Sequence, residues 1–391
     1  MKYLLTYKDA QEISEKYNNN NFWEFQFMKD GYKLAAFNYF ICGWNDFANP
    51  LPKRPEVNAF DMRGVTFVFN KDGSLWKTFF MLPKFFNLNQ VDSTQYGVVK
   101  DKEICSITEK EDGSLVAFMM LPNGKLFAKT IGSFTSEQSE LAYNLLYTNE
   151  EHVLWVKEML NTGCTPLFEY VSWDNRVVLK YSKPQIRFIG MRDNVTGTYY
   201  SAPEIHDSFF PADMQIVEEG NGTLDGLIEE AKTAEGKEGW VVKFTDDQLI
   251  KLKTAWYFKL HGLRTQDINR EDYVIKNYLT ETLDDIMTQL DPVEDSDAYA
   301  FVSKVTKAID NYVIHIDETV QELVDAYNSS FYFGQWAKFA TDKHKAAFFG
   351  LARTKIEQPE NYQKKKKEII LALTFHLKQA KQIVEKWKQK E

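Results

Sequence analysis

The side chains best suited to covalent chemistry in this chain are lysines. "KEDGSLVAF" begins at Lys110, and "LIKLK" carries Lys251 and Lys253 on either side of Leu252. In a strand those two ammonium groups project from one face. Carboxylates stand at Glu169 in "LFEYV" and Glu238 in "KEGWVVKF", and further cations at Arg63 in "DMRGVTF", Lys84 in "LPKFFNLNQ" and Lys129 in "LFAKTIGS". A lysine is a nucleophile only after losing its proton. With an ordinary pKa near 10.4, about one in a few thousand is neutral at pH 7, and a drop of about three units corresponds to roughly 4 kcal/mol. Neighbouring cations, a metal ion and partial desolvation can supply that bias. Lys84, Lys129, Lys251 and Lys253 are the candidate cations. The same charges would hold phosphates, so one basic cage could serve both purposes.

Lys110 has a decoy. "NKDGSLW", beginning at Asn70, repeats Asp-Gly-Ser-Leu between apolar runs, but there Lys71 touches its aspartate directly. Asp-Gly between β-rich runs is a strong hairpin signal, since both turn residues accept positive φ. Taken alone, either stretch reads as a hairpin turn. Only the residues that accompany Lys110 along the chain favour more than that.

The elements that must position these groups change character along the chain. From about residue 60 to 260, short strands alternate with turn signals. "MRGVTFVF" and "LWKTFFML" flank "NKDG"; "EICSIT", "SLVAFMML" and "KLFAKTIG" flank "KEDG" and "PNG". Further strands are expected in "PLFEYVS", "RVVLKYS", "QIRFIGMRD", "GWVVKF" and "LIKLK", with helices in "TSEQSELAYNLLYT", which opens on a Ser-Glu cap, and "LDGLIEEAKTA". After about Trp256 the periodicity becomes helical. Ile370, Leu373, Leu377, Ala380, Val384 and Trp387 form one apolar stripe. The expected class is therefore α+β, an antiparallel-sheet-rich domain over 1–258 followed by an all-helical domain over 259–391.

Bulk properties narrow the partners. A chain of 391 residues is long for one core, and 44% hydrophobic with 26% charged residues is a globular composition. The net charge of −9 argues against non-specific coating of nucleic acid, while a local basic cleft remains open. The run Lys364–Lys367 after Pro359 is either a solvated helix start or a phosphate-contacting edge. Cys42, Cys105 and Cys164 lie far apart, without a CxxC pair, and the histidines are scattered. That gives no zinc site or disulfide framework and fits a reducing compartment. No signal peptide or membrane-length apolar window is visible, so a cytoplasmic location is expected.

Read in order, Arg63-Gly64, "KFFNLNQ", "KEDGSLV", "LFEYV", "KEGWVV" and "KLKTAWY" resemble the covalent nucleotidyltransferase superfamily. The whole series is similar to the RNA ligase 1 family of T-even-type bacteriophages. The resemblance implies an ATP-dependent RNA ligase using magnesium, with manganese as a substitute. It would join RNA 5′-phosphate and 3′-hydroxyl ends, in nature those of a nicked tRNA, in a host cytoplasm if phage-encoded. No membrane and no obligate protein partner are implied. Lys110 would take AMP, and Gly113 would let the backbone approach the nucleotide. Arg63, Lys84 and Lys129 would contact ATP, as would Lys251 and Lys253 at the α-phosphate. Glu169 would engage the ribose and the metal's water shell, and Glu238 would hold the metal. Tyr257 matches a family tyrosine important for activity. Phe37 aligns with an aromatic that contacts ATP, without the hydroxyl. In "ETLDDIM", Asp284 is chosen over Asp285 as a further metal ligand. The rivals are a GTP-dependent mRNA guanylyltransferase or a DNA ligase of the same superfamily, both of which usually continue into a β-rich OB domain, and a non-catalytic RNA-binding module.

Overall fold

A computed structural model of the chain describes residues 4–17, 21–172, 181, 183–205, 210–260, 267–288, 290, 295–328, 336–337 and 347–387. The strand expected in "RVVLKYS" falls almost wholly outside the described residues. The chain divides into two compact units, Met1–Tyr17 with Gln26–Leu263, and Asn18–Phe25 with Arg264–Glu391.

Three sheets carry the first unit, with Phe22–Phe25 of the first strand assigned to the second unit. β1 (Phe22–Lys29), β2 (Tyr32–Tyr39), β3 (Thr66–Phe69) and β4 (Leu75–Phe79) form one, in that order. β5 (Phe86–Asn87) and β6 (Ile104–Glu109) belong to a second. β7 (Ser114–Met120), β8 (Leu126–Thr130), β9 (Cys164–Val171), β10 (Gln185–Asp193) and β11 (Tyr199–Ser201) form the third, in the order β11-β10-β9-β7-β8. β12 (Gly239–Phe244) and β13 (Leu249–Lys253) return to the second sheet, ordered β5-β13-β12-β6.

The turn signals resolve differently. "NKDG" closes the β3–β4 hairpin: Gly73 N donates to Asn70 O at 3.0 Å, and Gly73 sits at φ +85. "PNG" closes β7–β8, with Leu121 N donating to Lys125 O at 2.9 Å and Gly124 at φ +78. "KEDG" closes no hairpin. β6 pairs with β12, whereas β7 pairs with β8 and β9, so Lys110–Gly113 is a crossover from the second sheet to the third. The N-terminal strands, absent from the expectation, have their own signal in Asp30-Gly31, at φ +52 and +82, the positive-φ pair a two-residue hairpin demands.

Helices pack on these sheets. Glu137–Leu146 begins at Ser136, whose side chain accepts from Ser139 N as the Ser-Glu pattern suggested. Glu150–Asn161 buries Val153, Trp155, Val156 and Leu160 in the core with Phe168 and Phe188 of the third sheet. Leu224–Thr233, capped by Thr223, sets Leu224 and Leu227 against Val242 and Ile250 of the second.

The second unit includes a 33-residue helix, Ser296–Asn328, and the helices Glu271–Leu279, Phe349–Glu357, Tyr362–Ala372 and Leu377–Trp387. The C-terminal stripe is not one helix. The chain turns at Leu373–His376, yet Ile370, Leu373, Ala380, Val384 and Trp387 are all buried. Trp387 meets the His315 ring at 5.0 Å. The Lys364–Lys367 run also divides. Lys366 is buried and pairs with Asp317 at 3.1 Å, so it is neither a solvated helix start nor a phosphate contact. Lys364 and Lys365 are exposed.

Candidate active site

The site forms where the crossover meets the β12–β13 edge. Lys110 N donates to Gly239 O at 2.8 Å, which seats the crossover on the start of β12. Gly239 has to be glycine: a Cβ there would lie 1.9 Å from Leu252 O, and its φ is +150. Glu238, one residue earlier, is buried. Its Oε2 accepts from Lys110 Nζ at 2.9 Å and its Oε1 lies 3.0 Å from Lys253 Nζ. Burial pushes the Glu238 carboxyl up, but Lys110 and Lys253 together outweigh it and hold the group below the usual carboxylate range.

Glu169 lies on β9, flanked in register by Leu115 of β7 and Arg187 of β10. It keeps some solvent access while lying deep in protein. Burial pushes its carboxyl up to about 8; Lys110 and Arg63 pull the other way, and the Glu238 and Glu111 charges add to the rise. These mutual influences place Lys110, Glu169, Glu238 and Arg63 in one electrostatic neighbourhood. Arg63 Nη1 donates to Leu82 O at 3.1 Å.

The strand lysines behave as alternation requires. Ile250 and Leu252 are buried, while Lys251 and Lys253 share the opposite, partly exposed face. Lys251 Nζ stands 5.4 Å over the Phe85 ring, and Lys253 Nζ 5.2 Å over Tyr257. Phe86 is core, packed on Trp44 and Phe47. Lys84 Nζ lies over the rings of Tyr39, Phe47 and Phe86.

Four site neighbours were not among the expected residues, and two of them sit inside the motif. Asp112 is buried and accepts from Tyr257 OH at 3.0 Å. Glu111 is buried, accepts from Tyr181 OH at 3.0 Å and pairs with Arg187. Tyr181 OH in turn accepts from Asp112 N at 3.0 Å. Two consecutive acidic residues beside a glycine gave a signal for Glu111 and Asp112. Arg187 becomes visible only through the β9–β10 register, which sets it opposite Glu169, and Tyr181 only through its contacts with Glu111 and Asp112.

Several expected roles need correction. Lys129 is fully buried, and its Nζ donates to Gly64 O, Thr130 O and Ile131 O at 3.2, 2.9 and 2.9 Å. Those three acceptors occupy the three donors of an ammonium, which leaves none for a nucleotide phosphate. Burial pushes its pKa down to about 7. Phe37 is fully buried with its ring against Tyr7 and Phe67, so it is core and presents no face to ATP. Gly113 serves a different close approach from the one expected: a Cβ would lie 2.3 Å from Tyr170 O, so it lets β7 pack on the strand bearing Glu169. Lys110 itself is tied to the Glu238 carboxylate, which it shares with Lys253. Asp284 is exposed on the Leu283–Met287 helix of the second unit, and Asp285 is buried.

Among the described residues, no group of three or more His, Cys, Asp or Glu side chains is arranged to hold a metal ion. A divalent cation with few protein ligands still fits the first unit. Glu169 and Glu238 offer hard oxygen donors, and burial raises the Glu169 carboxyl further than Lys110 and Arg63 lower it, so a further cation beside it would be favourable. Magnesium keeps much of its hydration and needs only one or two carboxylates.

An amine held by a buried carboxylate, with a second lysine on the same carboxylate and an arginine and glutamate close by, defines an anion-handling lysine site on an α+β scaffold. Residues 61–262 match the family model described as RNA ligase, just over half of the chain, and the chain belongs to this RNA ligase family. It is 28% identical over 232 residues to a Thermovibrio ammonificans protein named "Putative RNA ligase"; the match takes in 58% of this chain and spans 60% of that relative's length. Among solved structures it is similar to an archaeal ATP-dependent RNA ligase, with 13% identity, TM-score 0.47, and coverage of 76% of this chain and 79% of that one. It is also similar to a point variant of Naegleria gruberi RNA ligase with ATP and Mn, with 16% identity, TM-score 0.33, and coverage of 42% of this chain and 53% of that one. No described helix is long and apolar enough to cross a membrane.

Proposed function

We propose that the chain is an ATP-dependent RNA ligase that joins a 5′-phosphate to a 3′-hydroxyl, with sealing of a nicked tRNA as its natural task. The observation that carries this reading is the pair of lysines, Lys110 and Lys253, sharing the buried carboxylate of Glu238 beside Glu169. Lys110 is held by Glu238, and its side chain is partly exposed.

In the first step the neutral Lys110 amine attacks the α-phosphorus of ATP. A P–N bond forms, the bond to pyrophosphate breaks, and the amine's second proton is lost to solvent. Glu238 orients the Lys110 amine through the existing hydrogen bond, and the proton that Lys110 must first release passes to solvent. Lys253, Lys251 and Arg63 neutralise charge on the phosphates, where preorganised cations act most strongly. In the second step an RNA 5′-phosphate oxygen displaces Lys110 from phosphorus and the P–N bond breaks. In the third, an RNA 3′-hydroxyl attacks the activated 5′-phosphate, forms the phosphodiester and releases AMP. A magnesium ion bound near Glu169 and Glu238 would supply further charge neutralisation at phosphorus. Tyr257 and Asp112 brace the crossover that carries Lys110. Support for a tRNA substrate is the exposed basic edge at Lys364 and Lys365 of the helical unit.

The test offers labelled ATP or GTP separately, with magnesium, followed by intact-mass and peptide mapping. A single AMP on Lys110, absent from K110A, is the expected result. Label from GTP alone, or label on another lysine, would overturn the reading.

A further inference from the structure

Two buried basic side chains that no step above uses grip the segment that presents Arg63. At one end Arg192 of β10 is fully buried. Its Nη2 donates to Asp61 Oδ1 at 2.9 Å and its Nη1 to Met81 O at 3.4 Å, with the guanidinium over Phe80. At the other end Lys129 Nζ donates to Gly64 O at 3.2 Å. Between them Arg63 reaches back to Leu82 O. Gly64 adopts φ +93 and packs so closely that a Cβ would meet Met81 Sδ at 2.6 Å. The segment therefore has little freedom at either end.

Stability is a poor explanation for the arrangement. A buried ion pair can often be replaced by apolar side chains without loss of stability. This one leaves Arg192 Nε buried with no hydrogen-bond partner. What the pair does supply is direction: the planar guanidinium ties the Asp61 carboxylate through Nη2 and Met81 O through Nη1, which fixes the two segments relative to one rigid group. Asp61 is two residues before Arg63, so that direction passes to the Arg63 backbone.

We propose that Arg192, through Asp61, and Lys129, through Gly64, are positioning residues that hold Arg63 where it meets the nucleotide phosphates. The inference rests on the nucleotidyl-transfer reading of the site. Neither residue touches a reacting atom, and the effect of each should be felt only through Arg63.

A double-mutant cycle on the full chain separates this from a structural role. The rate of AMP transfer to the protein is measured in single turnover, over a range of ATP concentrations, for wild type, R192Q, R63A and the double variant. R192Q should slow transfer by about tenfold or more when Arg63 is present, and by less than about twofold when it is absent. R192K, which keeps a charge on Asp61, should recover part of the rate. Equal losses in both backgrounds, or no loss in either, would overturn the inference. If R192Q does not fold, D61N enters the same cycle with the same expected pattern. Failure of the wild type to take up AMP would instead sink the enzyme reading itself, so the two failures are distinct.

Discussion

Glu169 shows how one side chain couples the site to solution conditions. Its folded pKa, near 8, lies above the 4.5 of a free glutamate. Between those values the folded protein holds a proton that the unfolded chain releases, so this group's contribution to stability is complete below about pH 4.5 and falls as pH rises towards 8. E169Q has no charge to bury. It should gain on wild type between pH 5 and pH 8.5, by roughly 2–5 °C in Tm once partial exposure is discounted. Added magnesium should narrow that gap, because a cation stabilises the charged wild-type group and has little to bind in the amide. Thermal melts at the two pH values, with and without magnesium, check both statements; a gap that ignores pH would remove Glu169 as an acid of raised pKa.

At the scale of elements, the site depends on how tightly the crossover docks. Gly239 lies where a Cβ would meet Leu252 O at 1.9 Å, and that clash falls on backbone, which cannot swing away. G239A should separate β12 from β13 around Lys253 and lower AMP transfer by on the order of 100-fold, with a stability loss of about 1–3 kcal/mol. Denaturant unfolding alongside the transfer assay would show both. Y257F tests a gentler link. It removes the hydrogen bond to Asp112 while keeping the ring under Lys253, and should cost about 1–2 kcal/mol of stability. Unfolding indistinguishable from wild type would mean that the Tyr257–Asp112 contact does not brace the crossover.

For the whole molecule, the helical unit separates buried charges that fold it from exposed charges, of which Lys365 also reaches Thr354 Oγ1 at 2.9 Å. Burial pushes the Lys366 ammonium down and the Asp317 carboxyl up, and their mutual attraction opposes both shifts. K366E would set two carboxylates together in the interior and should destabilise the unit by about 3–5 kcal/mol. K364E/K365E changes exposed positions and loses only the Lys365–Thr354 hydrogen bond, so it should lower stability by no more than about 1 kcal/mol. It should weaken tRNA binding and flatten its salt dependence while AMP transfer to Lys110 proceeds normally. Circular dichroism melts and salt-series binding distinguish the two variants; tRNA affinity unchanged in K364E/K365E would take that edge out of the substrate surface.

The sequence by itself determined whatever depends on neighbours a few residues away. The Asn-Gly hairpin, the Ser136 cap, the common face of Lys251 and Lys253 and the change to helical periodicity near residue 256 are all local, because turn geometry and the periods of strand and helix are local properties. The ordered motifs also determined which lysine and which carboxylates to set apart. Tertiary structure alone decided what the same letters do at a distance. Of the Asp-Gly pairs at 30–31, 72–73 and 112–113, two close hairpins and the third spans two sheets, since strand pairing is chosen by partners such as β12, more than a hundred residues further on. Lys129 and Lys366 look like any solvated lysine in the sequence, yet both are buried. A long side chain's surroundings depend on which remote carbonyls or carboxylates the fold brings to it, and no local pattern records that.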